Sequence, residues 1–546
     1  MGQAPVAADA CARRLRALGA AGALDEVALA LGWFGPTGFA PDRPGSEASV
    51  QALAGLMQVD GRDDGRPRRL GLEVASVAAG VVAAQGVLAA AVGGAGAVQT
   101  SVLQAALVLL SHYFMVATGL GDAVPGPPLP EPGPPFRSAE GRWFEVETLD
   151  PEAWKAFWTR LGAGGADLGR GWTVFRWRYE RAACSLPPGL HEATAGHRLD
   201  DLRRVAAETG LSLVPVAGGP APVAEPPVAS VCARPGGGAP AGTAGTAAAA
   251  GLPLAGTRVV EATSRIQGPF AGMLLRMLGA EVVRVQPPEG DYGRAAVTLH
   301  RGKDAVALDL GSPAGRRALV DLVAGADVFL HNWRPGKAAE WRLEFDDLAR
   351  PGLVYAHATG WAAPREALGT DFLVQAHLGL GHGLRPEGEP PFPSRMILCD
   401  LFGALVTAEG ILAALYRRAR EGGAYEVGSS LEAGGRSLLD GHPGRPRWGA
   451  LDRPVPTAAG LLAVSVDGED GLRRACAACR VAGPEALVAR LGEDTAAHWE
   501  GVLTGAGVPA AAVAEDLAAV AADPRLAGLF EPAGPGLAPR APWSFA

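Results

Sequence analysis

Residues 254–291 read LAGTRVVEATSRIQGPFAGMLLRMLGAEVVRVQPPEGD. An apolar run, TRVVEA, passes through a turn at Gly268-Pro269 into the helix-length stretch FAGMLLRMLGA, and a second apolar run, EVVRVQ, follows. The alternation continues downstream with AVALDL, AGRRALVDLVAGA, DVFLHN and LVYAHA. Strands that alternate with helices in this way predict an α/β fold: a Rossmann-like, mainly parallel sheet with helices on its faces. One glycine precedes the first helix where a dinucleotide fingerprint needs three, which disfavours NAD and FAD. Walker, H-E-x-x-H and G-x-S-x-G signatures do not occur in the sequence, so nucleotide hydrolysis, zinc proteolysis and serine-hydrolase chemistry lose their usual marks.

The chain has 546 residues, 48% of them hydrophobic and 19% charged, enough core material for several domains and too little charge for a disordered chain. A net charge of -8 and the lack of a basic stripe argue against a nucleic-acid partner. Only Lys155, Lys303 and Lys337 are lysines, so arginine abundance says little about chemistry. The six cysteines form no disulfide framework, and the C-x-x-C at Cys476 and Cys479 has no second pair, so it reads as helix positions and no metal site is expected. The first residues lack a basic-then-apolar leader, so a cytoplasmic location is the expectation. Residues 74–92, VASVAAGVVAAQGVLAAAV, are uncharged and nearly long enough to span a bilayer.

A second copy of that segment removes the membrane reading. Shifted by 324, residues 45–90 align with residues 369–414 without a gap, and Gly45, Gln51, Gly55, Pro67, Gly86 and Ala90 are among the positions that meet the same residue. GSEASVQALAGL answers GTDFLVQAHLGL, and the later copy carries Asp400, Glu409 and the run Tyr416-Arg417-Arg418, which a bilayer span would resist. Both segments are expected to be buried helices, and no membrane partner is expected. The register resumes with SAEG against TAAG and ETGLSLVPV against GAGVPAAAV, an internal repeat of unequal copies. The predicted organisation is a degenerate partial copy at 1–216, a Pro/Gly/Ala-rich tether at 217–252, a large catalytic domain at 253–440, a smaller α+β domain at 441–520, and a C-terminal return to the large domain at 521–546. Residues 253–368 find no counterpart in the first copy.

Beyond the opening stretch, HRGKDAVALDLGSPAGRRAL, ADVFLHNWRPG, LVYAHATGW and GTDFLVQ follow in order. With it they resemble the family III CoA-transferases, a superfamily that also holds α-methylacyl-CoA racemases. The resemblance implies that the opening domain cradles coenzyme A, with contacts at Gln267, at Leu308, Asp309 and Leu310, at Asn332, Trp333 and Arg334, and with Thr370 at the same site. It also implies an acyl-CoA and a small carboxylic acid as substrates, with no permanently bound cofactor. The family nucleophile is an aspartate thirty residues beyond the G-x-D motif, here Asp400 in SRMILCDLFGALVTAEGILAAL. From the residues alone, a carboxylate there is either a helix N-cap or a functional acid. As a nucleophile it would form an anhydride with the acyl group and then an aspartyl-CoA thioester, and the helix N-terminus is expected to hold it ionised.

The shift of 324 sets Ser76 against Asp400, so the first copy is expected to be non-catalytic and to stand in for the second subunit of the family's threaded homodimer, a pseudo-dimer within one chain that leaves further self-association open. Racemases place histidine where this chain has Thr370, which disfavours racemisation. His357, at the end of a predicted strand, reads as structural. Gly434-Gly435 faintly echoes the family's glycine-rich substrate loop. The function read from the sequence is CoA transfer through Asp400; the alternatives are acyl-CoA isomerisation on the same fold and non-catalytic acyl-CoA binding.

Overall fold

The computed structural model describes residues 4–121, 133–223, 226–234, 251–290, 295–348, 350–442 and 444–546. Its central sheet has seven strands in the order Ser230–Arg234, Ala424–Ser430, Val354–Thr359, Val328–His331, Arg258–Ala262, Glu281–Gln286 and Asp304–Ala307. All pairings are parallel except that of Ser230–Arg234, which runs antiparallel to Ala424–Ser430 at one edge. The strand Arg258–Ala262 lies between its successor and Val328–His331, so the winding reverses there, and the mouth of such a reversal is where open α/β sheets bind ligands. The sheet is therefore mixed rather than wholly parallel, and the predicted tether is in part a strand; residues 224–225 and 235–250 of it lie outside the described residues.

The repeat is visible as matched local structure. Gln375 Nε2 donates to the carbonyls of Ser394 (3.2 Å) and Met396 (2.9 Å), and Gln51 Nε2 donates to those of Leu70 (3.2 Å) and Leu72 (3.1 Å). Each glutamine side-chain oxygen accepts a backbone N–H from the same segment, from Ser394 and Leu70 at 3.0 Å. The two glutamines that the shift superposes thus do one job, fixing the chain that leads into a long buried helix. Those helices are Val74–Gly93 and Leu398–Glu421, and they pack on each other. Both are long and apolar enough to cross a membrane, with 89% and 100% of their most apolar windows buried inside the protein.

The first copy keeps more of the fold than its sequence revealed. Ala28–Gly32 pairs in parallel with Ala97–Ser101, as Val354–Thr359 does with Ala424–Ser430. Ser101 and Ser430 each end their strand and accept a backbone N–H as N-cap of the next helix. The expectation that residues 253–368 have no counterpart therefore fails at the last strand of that region, because short remnants carry little sequence signal.

The copies exchange parts. Ser230–Arg234, trailing the first copy, extends the second copy's sheet, and Ser544–Phe545, trailing the second, pairs antiparallel with Ala97–Ser101 of the first. Within the C-terminal segment Ser544–Phe545 thus pairs with the first copy, while Glu531 forms an ion pair with Arg301 of the large domain at 3.0 Å. The small sheet Phe136–Arg137, Trp143–Glu147, Ser212–Pro215 packs on the helix Asp371–Leu378 of the second copy. The sheet Val455–Pro456, Leu461–Val464, Ala510–Ala512 packs on Glu47–Ala54 of the first. Cys476 and Cys479 are buried in the second small domain on the helix Gly468–Cys479. Each Val or Leu buried between the copies contributes about 1.5–3 kcal/mol.

A fork-shaped ion pair also joins the two halves. Arg14, on the helix Pro5–Ala17, donates from Nε (2.7 Å) and Nη2 (2.6 Å) to the two oxygens of Glu409, with side-chain exposures of 2% and 0%. Truncating one partner strands a buried charge. Arg14→Met should destabilise the protein by about 3–5 kcal/mol, whereas Arg14→Met with Glu409→Met should recover most of the loss; chemical denaturation of the three proteins checks this.

Candidate functional site

Asp400 sits in the first turn of the helix Leu398–Glu421, whose N-cap residue, Ile397, has no side chain that can accept a hydrogen bond. The orphan donors of that turn are met from elsewhere: Asp371 Oδ2 accepts the backbone N–H of Asp400 at 2.8 Å and a further bond from that of Cys399. Asp371 is therefore the cap, and the Asp400 side chain is free to face a cavity. Its carboxyl accepts the backbone N–H of Gln267, at the start of the helix Gln267–Met277.

Burial pushes Asp400 up to about 7, the Arg265 guanidinium and the Gln267 N–H opposing the rise and the Glu147 carboxylate adding to it. Burial and the neighbouring Asp400 hold Asp371 well above the usual carboxylate range. Desolvation thus opposes the helix N-terminus expected to keep Asp400 ionised, Asp371 occupying N–H groups of the helix end.

The cavity, about 400 Å³, is built from both copies. Ile266, Thr370, Asp400 and Leu431 come from the second, and Glu147, Trp172, Arg176, Trp177 and Tyr179 from the first. Glu147 is fully buried; its Oε2 accepts from Arg178 Nη2 (2.8 Å) and from the Tyr179 hydroxyl, and its Oε1 has no hydrogen-bond partner. Thr370 Oγ1 and Gln267 Nε2 are likewise buried without partners. Gly403 lets the Gln267 amide approach, because a Cβ there would meet Nε2 at 3.0 Å.

A second cleft of about 300 Å³ opens at the carboxyl ends of the strands, beside the reversal. Leu308, Asp309, Leu310, Asn332 and Trp333 line it, whereas Gln267 and Arg334 do not. Asn332 clamps the loop after the first strand, accepting the Ser264 N–H at 3.0 Å and donating to its carbonyl at 2.8 Å. Trp333 stacks on His331, with centroids 4.5 Å apart. Arg265 follows Ser264 at φ 68°, a left-handed backbone that a non-glycine residue adopts at a cost; it turns from this cleft to the Asp400 cavity, which it lines.

Sequence reading missed Arg265 and the whole first-copy wall. The available cue was WTVFRWRYE, residues 172–180, where aromatic and basic residues interleave. Gly434-Gly435 is not a loop but lies inside the helix Leu431–Leu439, where a Cβ on Gly434 would meet the Gly403 backbone N at 2.3 Å; helix crossing explains the glycines. His357 lies 3.7 Å from Glu426 and beside Gly428, on the sheet.

The vestigial counterpart is closed. Ser76 Oγ donates to Glu47 Oε2 at 2.7 Å, and Glu47 also accepts the backbone N–H groups of Ala75 and Ser76, both at 2.8 Å. The hydroxyl that replaces the acid is spent on the cap.

A winding-reversal cleft and a half-buried acid in the first turn of a helix define an α/β protein with a candidate site at Asp400. The sequence profile of CoA-transferase family III matches residues 27–227 and 254–450, and the chain belongs to that family of enzymes. It is 27% identical over 309 residues to a succinyl-CoA:glutarate CoA-transferase of Mus musculus, covering 47% of this chain and 71% of that protein. It is 34% identical over 237 residues to a probable fatty acyl-CoA transferase of Mycobacterium tuberculosis, covering 38% and 58%. Similarity to a succinate–glutarate CoA-transferase of Agrobacterium fabrum is 29% over 266 residues, covering 41% and 66%. A crystal structure of a CAIB/BAIF family protein from Brucella suis superposes with a TM-score of 0.45 at 25% identity, covering 53% of this chain and 92% of that one.

Because Asp400 binds a proton more tightly when folded, folded stability falls as pH rises from the unfolded value near 3.8 through about 7. Asp400→Asn should therefore melt higher than wild type at pH 8, by a few degrees or more, and the gap should close towards pH 4; paired thermal scans across that range check it.

Proposed function

We propose that the chain moves coenzyme A from an acyl-CoA to a carboxylic acid, with Asp400 as the nucleophile. The observation that carries this reading is an acid on a helix N-terminus, freed from capping its own helix by Asp371 and set with Arg265 in a cavity beside the strand-end cleft. The names of the relatives, CoA-transferases with several acids, support the reaction class.

The Asp400 carboxylate attacks the thioester carbonyl, the C–S bond breaks, and CoA leaves as thiolate, giving an aspartyl–acyl anhydride. The thiolate then attacks the aspartyl carbonyl and expels the donor acid, leaving an aspartyl-CoA thioester. An acceptor carboxylate repeats the two steps in reverse and regenerates Asp400, so protons balance throughout. Arg265 stabilises the ionised Asp400 and the incoming carboxylate, and the unpartnered Gln267 Nε2 and Thr370 Oγ1 are donors for developing oxyanions. Leu308, Asp309, Leu310, Asn332 and Trp333 would seat the CoA portion in the cleft; Arg334, beside it in sequence, would meet solvent-side phosphate.

Glu147 favours a second reading. Its free Oε1, from the first copy, faces the Asp400 cavity and could relay a proton where Thr370 cannot, which is the equipment of an isomerase.

Mass spectrometry after incubation with acyl-CoAs and hydroxylamine separates the readings. Hydroxamate at Asp400 is expected for the transferase, together with a loss of exchange of at least about a thousandfold in Asp400→Ala. α-Proton exchange into deuterated water without any hydroxamate would instead establish the isomerase, and CoA binding with neither would leave a binding protein.

A further inference from the structure

Resting on the transferase reading, we propose that the acid handled at Asp400 is a monocarboxylic acid with a bulky apolar, ring-sized body, held by the degenerate first copy. The cavity measures about 400 Å³, within the range that holds drug-sized ligands and larger than a four- or five-carbon acid fills. Its first-copy wall carries three aromatic rings, Trp172, Trp177 and Tyr179, and Ile266 and Leu431 of the second copy line the same cavity.

Charged groups of the first copy, Glu147, Arg176, Arg178 and Glu180, line the cavity as well. Arg178 is committed to Glu147, and Arg176, exposed at the rim, carries its guanidinium 5.2 Å from the Trp177 ring centre, a cation–π contact that stiffens the wall. Arg265 is the cation that acts on Asp400 itself, so one carboxylate is provided for beside Asp400, and the three rings offer apolar surface for the rest of the acid. The wall is firmly backed: Trp172 lies 5.8 Å from the buried Trp154, and Tyr179 lies 4.9 Å from Phe372 on the helix that Asp371 begins. In this arrangement the first copy, having lost its own acid, selects the substrate of the other.

Identity exchange isolates the acid pocket from the choice of partner. The full-length protein is given 3-phenylpropionyl-CoA with isotopically labelled 3-phenylpropionate, or glutaryl-CoA with labelled glutarate, and label entering the thioester is measured. The expected result is a kcat/KM at least about tenfold higher for the aromatic pair. Trp177→Ala and Trp172→Leu should each lower it about tenfold, mainly through KM, while melting temperatures within a few degrees of wild type certify the fold. Glutarate exchange equal to or faster than the aromatic exchange, and lost in Arg176→Ala, would overturn the proposal in favour of a dicarboxylate read at the rim, with the transferase reading intact. If neither pair exchanges, calorimetry with 3-phenylpropionate decides: binding that weakens in Trp177→Ala upholds the pocket while the transferase reading fails, and no binding overturns the pocket as well.

Discussion

The buried N-terminal turn of the helix Leu398–Glu421 needs acceptors for its free N–H groups, and the rest of the site depends on who supplies them. Asp371 does so from a neighbouring helix. That leaves Asp400, in the first turn of an apolar helix, with a carboxyl that does not cap its own helix, accepts the Gln267 N–H, and has a proton affinity raised by burial. In the first copy the same problem is solved with the same geometry, Glu47 capping the turn at Ala75 and Ser76, but the side chain at the reactive position is a hydroxyl that the cap itself consumes. One architecture therefore leaves an acid facing a cavity in one copy and a hydroxyl bonded to the cap in the other.

Duplication also explains why the catalytically silent half persists. Each half lends an edge strand to the other's sheet and a small sheet to the other's helix, and the long helices would expose uninterrupted apolar surface if separated. The Arg14–Glu409 pair places charge inside that interface, where it is tolerable only because both ions are fully matched. The same exchange puts Glu147 and the aromatic run 172–180 across from Asp400, so a site read from one half of the sequence is completed by the other.

Much of this was legible in the residues. Periodicity gave the α/β core, and a fixed shift of 324 revealed the repeat, the buried character of the two apolar helices and the substitution of Ser76 for Asp400. Harder to see were the short strands: Ala28–Gly32 and Ser230–Arg234 are too brief to show alternation and exist because a neighbouring edge receives them. Gly434-Gly435 was misread because a glycine pair looks the same whether it frees a loop or lets two helices touch.

By itself the sequence determined the fold class and the duplication, since those rest on local pattern and on residue type at a fixed spacing, and it singled out Asp400 as the candidate acid. Only the tertiary structure decided that Asp371 is the carboxylate that caps, that burial raises the proton affinity of Asp400, and that Arg265, Glu147 and the first copy's tryptophans share its cavity. Those outcomes depend on burial and on contacts between residues hundreds of positions apart, which no local pattern encodes.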